Sequence, residues 1–510
     1  MPKTRSPKPR FEQVDILTDL LRWLLIGSIA GMLAGTASAL LLGSLNWATA
    51  VRESHKWLIA LLPLAGLAVG CMYKYYGGAV EAGNNLILDE VHDPKAVLPL
   101  RMTPLILLGT VVTHLFGGSA GREGTAIQTG ASLADQLTRP FGLQARDRRI
   151  LLMAGISGGF ASVFGTPLAG AIFGIEVLAI GRMGYEAIFP CFIAAFVGEF
   201  VTHAWGIHHT IYRVTEVPAF SAAGLLSSIA AGVIFGLVGM AFARATHSVS
   251  GFCKKTIKWA PLRPFAGGVA VAAAVFLLGT TRYIGLGIPT ILDSFSMKLP
   301  PYDFAGKFIF TVVTLGSGFK GGEVTPLFYI GATLGNALSR LLPLPSSLLA
   351  GMGFVAVFAG AANTPISSTL MAVELFGPEA GSFAAIACVV SYLFSGHAGI
   401  YRAQRVGRSK HSSNHHEEGL SLDSVARSRI GPAYDPYGYS NEPDIILKGR
   451  LNTTMNKLTI LRLYFCASEL HRDERWWKRL MGQTLGGTCC NRPSKLVSSR
   501  LCCTLWLAAI

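Results

Sequence analysis

The sequence is poor in charged residues, which make up only 14% of its 510 residues. A soluble globular domain carries roughly 25% of them, so this composition argues against an ordinary soluble enzyme. Hydrophobic residues reach 51%, which is too apolar for a disordered chain. The 58 glycines lie within apolar runs, as in tightly packed membrane helices. The composition therefore predicts an all-α, polytopic membrane protein.

Motifs for metal, nucleotide and hydrolytic chemistry are missing from the sequence. Paired C-x-x-C spacings do not occur, and five of the nine cysteines lie within the last 45 residues. The sequence has no P-loop, so ATP-driven transport is unsupported. A membrane-embedded hydrolase using Ser119, His114 and Glu123 is a remote alternative, because neither G-x-S-x-G nor H-E-x-x-H is present. We predict no enzymatic activity, no metal site and no cofactor.

The net charge of +15 does not form a stripe of the kind that binds nucleic acid, so we expect no nucleic-acid partner. Four basic residues, Lys3, Arg5, Lys8 and Arg10, precede the first long apolar segment. By the positive-inside rule, residues 1–14 form a cytoplasmic basic segment. The apolar segment at 21–45 is long enough to span a bilayer and shows no convincing cleavage site. We expect a multi-pass protein of the inner membrane with a cytoplasmic N-terminus.

The apolar segments between residues 21 and 400 differ in length. Several are shorter than the roughly 20 residues that cross a hydrocarbon core, and glycines interrupt them. Broken helices of this kind occur in membranes only where they line a cavity within the protein. The sequence therefore predicts a mixture of full and broken transmembrane helices.

An internal repeat relates the two halves of the apolar region. FASVFGTPLAGAIFGIEV from Phe160 matches FAGAANTPISSTLMAVEL from Phe358 with an offset of 198, and GREGT from Gly121 matches GGEVT from Gly321 with an offset of 200. Two repeats, roughly 15–210 and 220–405, are the pattern of repeat-built transporters, which bind their substrate where paired broken helices meet. Residues 406–510 carry no long spanning segment, and we expect a disordered or cytosolic tail there.

The first candidate site is the glycine-rich stretch 117–126, GGSAGREGTA, at a predicted helix start. Free backbone N–H groups and the helix dipole make such a position an anion site. The carboxylate of Glu123 is expected to occupy this site and to leave when protonated, which would make Glu123 both gate and proton carrier. The alternative is a glutamate that only caps its helix. The expected anion-binding residues here are Gly121, Arg122, Gly124 and Thr125.

A second stretch, GFKGGEVTP at 318–326, repeats this logic. Glu323, Val324 and Thr325 precede a proline that suits a first helical turn. The Thr325 hydroxyl offers a donor to an anion, and Glu323 is expected to relay protons. The alternative places Glu323 in a loop that faces water.

Two further candidates supply polar donors. Asn84 and Asn85 follow Gly83 and offer amide N–H groups to an anion, although asparagine also caps helices. Tyr401 follows the last apolar segment and offers a phenol O–H, although tyrosine is also common at membrane interfaces.

Together, GSAGREGT, GFKGGEVTPLFYIGATLG, NTPISSTLMAVELFG and HAGIYRAQR resemble the CLC family of chloride channels and anion/proton antiporters. The resemblance covers residues 15–405, which would form a CLC-type transport domain. It implies an inverted repeat of membrane helices, one pathway in each subunit and a homodimer.

The sequence departs from the chloride-type members of that family. Gly-Asn-Asn-Leu-Ile replaces a Gly-Ser-Gly-Ile-Pro loop, Thr125 replaces a proline, and Glu323-Val-Thr325 replaces an aromatic-containing segment. These replacements resemble the fluoride-exporting clade. By motif, Glu123 matches the gating glutamate, Glu323 and Thr325 match the second-loop pair of that clade, and Tyr401 matches the pore tyrosine. Asn84 stands where that clade carries Asn or Met.

The resemblance implies fluoride export coupled to proton import through a lipid bilayer. Fluoride is small and strongly hydrated, so close donors such as the Asn84 amide and the Thr325 hydroxyl suit it. A chloride/proton antiporter and a passive anion channel of the same fold remain alternatives.

Overall fold

Helices form nearly all the regular structure in the computed structural model, which describes residues 12–430. The predicted leader, apart from its last residues, and the tail beyond residue 430 lie outside the described residues. The helices of the first half are α1 (Glu12–Ser54), α2 (Leu62–Tyr76), α3 (Asn84–His92), α4 (Met102–Leu115), α5 (Glu123–Asp135), α6 (Ala145–Phe164), α7 (Pro167–Glu176) and α8 (Ile188–Ala204). Those of the second half are α9 (Ala222–Thr256), α10 (Leu262–Leu278), α11 (Ile288–Ser296), α12 (Asp303–Ser317), α13 (Val324–Leu338), α14 (Ser346–Ala362), α15 (Pro365–Phe376), α16 (Pro378–Phe394) and α17 (Leu422–Ile430).

Short elements connect these helices. Single 3-10 helices lie at Lys56–Leu61, Gly78–Ala82, Gln136–Thr138, Tyr185–Ala187 and Ser412–Glu417. Two strands, β1 (Ala179–Ile180) and β2 (Arg405–Val406), pair in parallel.

The helices divide into long and short ones, as the apolar pattern predicted. Within residues 12–430, four helical stretches are long and apolar enough to cross a membrane: Gln13–Ser54, Lys56–Tyr76, Tyr185–Ala204 and Ala222–Thr256. Six other apolar helices have only 10–17 residues. The prediction of full and broken membrane helices is confirmed.

Glycines allow the short helices to cross at close range. A Cβ on Gly331 of α13 would collide with the carbonyl oxygen of Gly353 on α14, and a Cβ on Gly353 would collide with that of Gly331. In the first half, a Cβ on Gly130 of α5 would likewise meet the carbonyl oxygen of Gly155 on α6. Small residues at such crossings bring membrane helices into contact along their backbones.

The two repeats run in opposite directions, and α7 and α15 show this most directly. Glu176 at the end of α7 accepts hydrogen bonds from the backbone N–H groups of Ile366 and Ser367 at 2.9 and 2.8 Å. Glu374, its repeat mate near the end of α15, does the same for the first turn of α7, where Leu168 and Ala169 donate at 2.8 and 2.9 Å. Each carboxylate therefore caps the start of the other helix, which requires the two helices to be antiparallel.

Around the broken loops, the structure relates the repeats with an offset of 201 rather than the 200 read from the sequence. Gly117 and Gly318 both adopt positive φ, at 87° and 110°. The helices that follow begin at Glu123 and Val324. Gapless matching of the two motifs aligned the two glutamates because their neighbours are similar. In space, Glu123 corresponds to Val324, so the two candidate glutamates hold different positions.

The packed chain continues past residue 405, where the sequence analysis ended the membrane domain. Lys410 holds this part of the chain in place, because its ammonium binds acceptors at the C-terminal ends of α14 and α16. It donates to the Asn363 side chain at 2.5 Å, to the carbonyls of Tyr392 and Gly396 at 2.6 and 2.7 Å, and to the Ser395 hydroxyl at 3.1 Å. Hydropathy does not reveal polar groups that are buried in this way.

Glu417 anchors the end of the same segment. Its buried carboxylate accepts hydrogen bonds from Nε and Nη2 of Arg429 at 2.7 and 2.8 Å, and it also contacts Nδ1 of His397. Burial opposes ionisation of this carboxyl group, but the bonds from Arg429 and His397 outweigh burial and lower its pKa.

A buried ion network fixes α3 against α5 and α6. The Arg148 guanidinium binds both carboxylate oxygens of Asp135 at 2.8 Å and Oε2 of Glu90 at 2.9 Å. Glu90 lies on α3, whose first residue is Asn84, so the network also fixes the position of that candidate.

We expect Arg148→Met to lower the stability of the folded protein by about 3–5 kcal/mol, because it leaves two buried carboxylates without their partner. The matched change Arg22→Met breaks an ion pair with Asp147 whose arginine side chain is 40% exposed, and it should cost at most about 1 kcal/mol. Thermal unfolding in detergent measures both. Equal melting temperatures for the two variants would contradict this assignment.

Candidate functional site

The two glycine-rich loops meet at the centre of the candidate site. Gly121 N–H donates to the Gly322 carbonyl at 2.7 Å, and Gly322 N–H donates to the Gly121 carbonyl at 2.8 Å. This antiparallel bridge joins the residues just before α5 and α13. The N-termini of two broken helices therefore converge, as the repeat predicted, and both present backbone N–H groups to the same point.

The Glu123 carboxylate occupies the point where these N-termini meet. The side chain is fully buried. Its Oε2 accepts the backbone N–H groups of Arg122 and Thr325, each at 3.1 Å, and the Thr325 hydroxyl donates to Oε1. A carboxylate from one repeat thus closes the helix start of the other. The same donors would hold a small anion if the carboxylate left.

Space for this carboxylate comes from the two bridged glycines. A Cβ on Gly121 would lie 2.5 Å from Glu123 Oε2, and a Cβ on Gly322 would lie 2.9 Å from the same atom. Any larger residue at position 121 or 322 would clash with the carboxylate and displace it from its hydrogen-bond donors.

A polar cavity of about 260 Å³ lies beside this site. Asn84, Asn85, Glu323 and Tyr401 line it, which brings four of the predicted residues together. The Asn84 amide nitrogen lies 3.3 Å from the position that a Cβ on Gly124 would take, and Gly124 directly follows Glu123. The Asn84 Oδ1 and the Tyr401 hydroxyl are buried without a hydrogen-bond partner. Unpaired polar groups of this kind are rare inside proteins, and these two face a shared space.

Glu323 and Glu123 differ in their surroundings. Glu323 lies just before α13 and lines the cavity, whereas Glu123 is not among the lining residues. The two carboxyl groups are near enough to interact electrostatically. Glu323 is therefore a carboxyl group that lines the cavity and also lies close to the Glu123 carboxylate.

Some predicted residues lie near the site but make other contacts. The Thr125 hydroxyl pairs with that of Thr110 on α4 at 2.6 Å. Asn85 Oδ1 accepts the backbone N–H of Ala403 at 3.0 Å, which ties the stretch after Tyr401 to α3. Val324 is buried as the first residue of α13. In this arrangement Thr125 and Asn85 support neighbouring segments.

The cavity also holds residues that the sequence analysis did not single out. Lys320 and Gln128 line it, together with Glu81 and Tyr73. Lys320 had a usable signal, because it is a lone cation between glycines at membrane depth, where ionisable residues are functional candidates. Gln128 and Tyr73 had none, since both lie within otherwise ordinary helical sequence.

An inverted repeat of broken membrane helices whose N-termini converge on a buried carboxylate defines a membrane anion-transport protein. The chain belongs to the voltage gated chloride channel family, whose family model matches residues 65–396. The resemblance to CLC proteins predicted from the motifs is confirmed.

Relatives from bacteria and solved structures agree with this assignment. The chain is 60% identical over 417 residues to the "Chloride/fluoride channel protein" of Pseudomonas syringae pv. tomato, covering 81% of this chain and 91% of that protein. It is 26% identical over 391 residues to the "H(+)/Cl(-) exchange transporter ClcA" of Cronobacter sakazakii, covering 69% of this chain and 81% of that protein.

Among solved structures, a CLC-type fluoride/proton antiporter matches with a TM-score of 0.74 at 35% identity, covering 76% of this chain and 99% of that chain. A slow cyanobacterial Cl-/H+ antiporter matches with a TM-score of 0.66 at 18% identity, covering 80% of this chain and 98% of that chain. The second match supports the fold alone, and both confirm the predicted fold class.

We expect Gly121→Ala to reduce proton-coupled anion transport at least about tenfold, because the added methyl group displaces a carboxylate whose charged hydrogen bonds contribute about 1.5–3 kcal/mol each. Gly43→Ala is the matched control, since a Cβ there meets nothing within 4 Å. Coupled fluxes in proteoliposomes measure both variants. If Gly121→Ala transported at the wild-type rate, the position of the Glu123 carboxylate would tolerate a side chain at residue 121.

Proposed function

We propose that this chain exports fluoride in exchange for protons. One observation carries the proposal: the Glu123 carboxylate is held by a hydroxyl and two backbone N–H groups at the junction of two helix N-termini. This set of donors suits any small, hard anion. A carboxylate in an anion site can exchange with a free anion, and it can also carry a proton.

The exchange follows from charge. Protonation of Glu123 removes the negative charge that the helix N-termini stabilise, so the side chain leaves and an anion takes its place. Deprotonation restores the carboxylate, which then competes with the anion for the same donors. The carboxylate and the anion therefore occupy the junction alternately, and a proton must bind to or leave Glu123 at each exchange, which couples proton movement to anion movement.

Glu323 gives protons a route between the cavity and the gate. It lines the cavity and interacts electrostatically with Glu123. Because the two carboxylates repel each other, each one favours protonation of the other while it is itself charged, and a single proton passes between them. We assign Glu323 the relay and Glu123 the gate.

Selectivity for fluoride is supported by the donors along the pathway. A strongly hydrated anion gives up water only to donors that replace it closely, and Asn84 and Tyr401 are two of the residues that line the cavity. The Thr325 hydroxyl and the backbone N–H groups of Arg122 and Thr325 follow at the gate. The relative at 60% identity is named for both chloride and fluoride, and the solved structure at 35% identity is named for fluoride. A relative at 26% identity is named for chloride, and chloride/proton exchange remains the second candidate.

Charge near the helix ends supports a cytoplasmic N-terminus in the inner membrane. The start of α1 lies beside the start of α6, where Arg22 pairs with Asp147 at 2.8 Å. Arg146, Arg148 and Arg149 cluster there. Positive loops remain on the cytoplasmic side. The homodimer implied by the resemblance is part of the same proposal, and cross-linking in the native membrane tests it.

We expect fluoride efflux from loaded proteoliposomes to drive proton uptake against a proton gradient, with little chloride efflux. Glu123→Gln should abolish proton movement, because an amide side chain does not bind and release a proton at the pH of the experiment. Internal pH and fluoride, recorded in the same vesicles, measure both fluxes. Glu53→Gln, at an exposed position, is the matched control and should exchange normally.

Two results would contradict the proposal in different ways. Fluoride efflux without proton uptake in the unchanged protein would make it a channel. If Glu123→Gln still exchanged fluoride for protons in a fixed ratio, Glu123 would not carry the protons, although the protein would still be an antiporter.

We expect Asn84→Ser to reduce the preference for fluoride over chloride about tenfold, which corresponds to one hydrogen bond of about 1–1.5 kcal/mol. Asn85→Ser should keep the preference, because the Asn85 side-chain oxygen binds Ala403. Initial efflux rates of the two anions give the ratio. An unchanged ratio in Asn84→Ser would assign selectivity to other donors.

A further inference from the structure

The charges that line the cavity favour anions. Lys254, Lys320 and Arg402 contribute three positive charges, and Glu81 and Glu323 contribute two negative ones. A concave surface with low-dielectric walls concentrates ions of the opposite sign. The cavity therefore collects anions before they reach the gate, and the question is which side chain holds them.

Lys320 is placed to hold an ion within the cavity. Its aliphatic stem rests against Gly109, where a Cβ would lie 3.0 and 3.1 Å from Cβ and Cγ of the lysine. Its ammonium lies 3.9 Å from the centre of the Tyr73 ring. An aromatic face attracts an ammonium ion, and the Glu81 carboxylate, which lines the same cavity, also attracts it.

Two other lysines within the described residues differ from Lys320 because their ammonium groups are hydrogen-bonded. Lys307 donates to the carbonyls of Tyr283 and Gly285 at 3.2 and 2.6 Å. Lys410 donates to four acceptors. Lys320 donates no hydrogen bond to any residue in the described range 12–430, and its N–H groups border the cavity. The Lys320 side chain is half-buried, so its ammonium N–H groups are open to an ion in the cavity.

The cavity has room for a hydrated ion. Its volume of about 260 Å³ compares with about 30 Å³ for one water molecule in the liquid. Tyr401 is only 3% exposed, its hydroxyl has no hydrogen-bond partner, and the residue lines the same cavity. An anion there is therefore able to keep part of its hydration shell.

We propose that the Lys320 ammonium forms an anion-binding subsite in this cavity, separate from the donors at the gate. It takes a small, hard, partly hydrated anion, fluoride under the function proposed above, on which this inference rests. The ammonium is a compact, strongly hydrated charge with three donors, which suits such an anion. From this subsite the anion passes to Asn84 and Tyr401, where it gives up further water.

Lys320→Met tests the subsite by removing the charge while keeping a long stem. Tracer fluoride exchange is measured in proteoliposomes with equal fluoride on both sides, over a series of concentrations. We expect the half-saturating concentration to rise about tenfold, as for the loss of one charge-assisted hydrogen bond. The maximal rate and the ratio of fluoride to protons should stay within twofold. Lys320→Arg keeps the charge and should restore most of the affinity.

Lys74→Met is the matched control. Lys74 lies over the Trp259 ring at 5.3 Å and does not line this cavity, so its removal should leave the half-saturating concentration unchanged. An unchanged value in Lys320→Met, or an equal rise in Lys74→Met, would overturn the proposal. A fall in maximal rate alone would also overturn it, since that result assigns Lys320 to a later step.

Failure of the proposed function is distinguishable in the same vesicles. If the unchanged protein exchanges chloride and not fluoride, the antiport of fluoride fails, and the concentration series is run with chloride. A tenfold rise for chloride in Lys320→Met would still support the subsite. Monodisperse elution of Lys320→Met and Lys320→Arg shows that both variants are folded.

Discussion

The buried Glu123 carboxylate at the junction of two helix N-termini is the interaction on which the site depends. Backbone N–H groups at a helix start have no partners within the helix, and a membrane interior offers little water to satisfy them. The carboxylate supplies that partner from the opposite repeat. Because the partner is ionisable, the group that stabilises the junction is also the group that a proton can release.

Repetition and close packing make this junction possible. The Gly121–Gly322 bridge holds the two loops together, and the reciprocal caps of Glu176 and Glu374 hold α7 and α15 antiparallel. These pairs obey the internal symmetry. The functional carboxylates break it, because the structural offset of 201 places Val324 opposite Glu123. One repeat therefore supplies the buried carboxylate, and the other supplies the hydroxyl that holds it.

The cations at helix ends and in the cavity are of two kinds, distinguished by their hydrogen bonds. Lys410 and Arg148 are saturated by acceptors, so they stabilise the fold. Lys320 borders a polar cavity with its donors unused, and the Tyr401 hydroxyl, which can donate to an anion, has no partner at the same cavity. These open donors are the basis of the anion subsite proposed for this cavity.

The sequence by itself determined the membrane class, the broken helices, the repeat and the position of Glu123 at a helix start, because composition and spacing act locally. Only the tertiary structure decided which donors face that carboxylate. It paired Thr125 with Thr110 and Asn85 with Ala403, and it placed Thr325 against Glu123. It also turned Lys320 towards the cavity. These contacts join residues that are distant in the chain. They also depend on the offset between the repeats, which is 201 in the structure and 200 in the sequence motifs. Spacing fixes where a helix begins, whereas the packing of the two repeats fixes what its N–H groups meet.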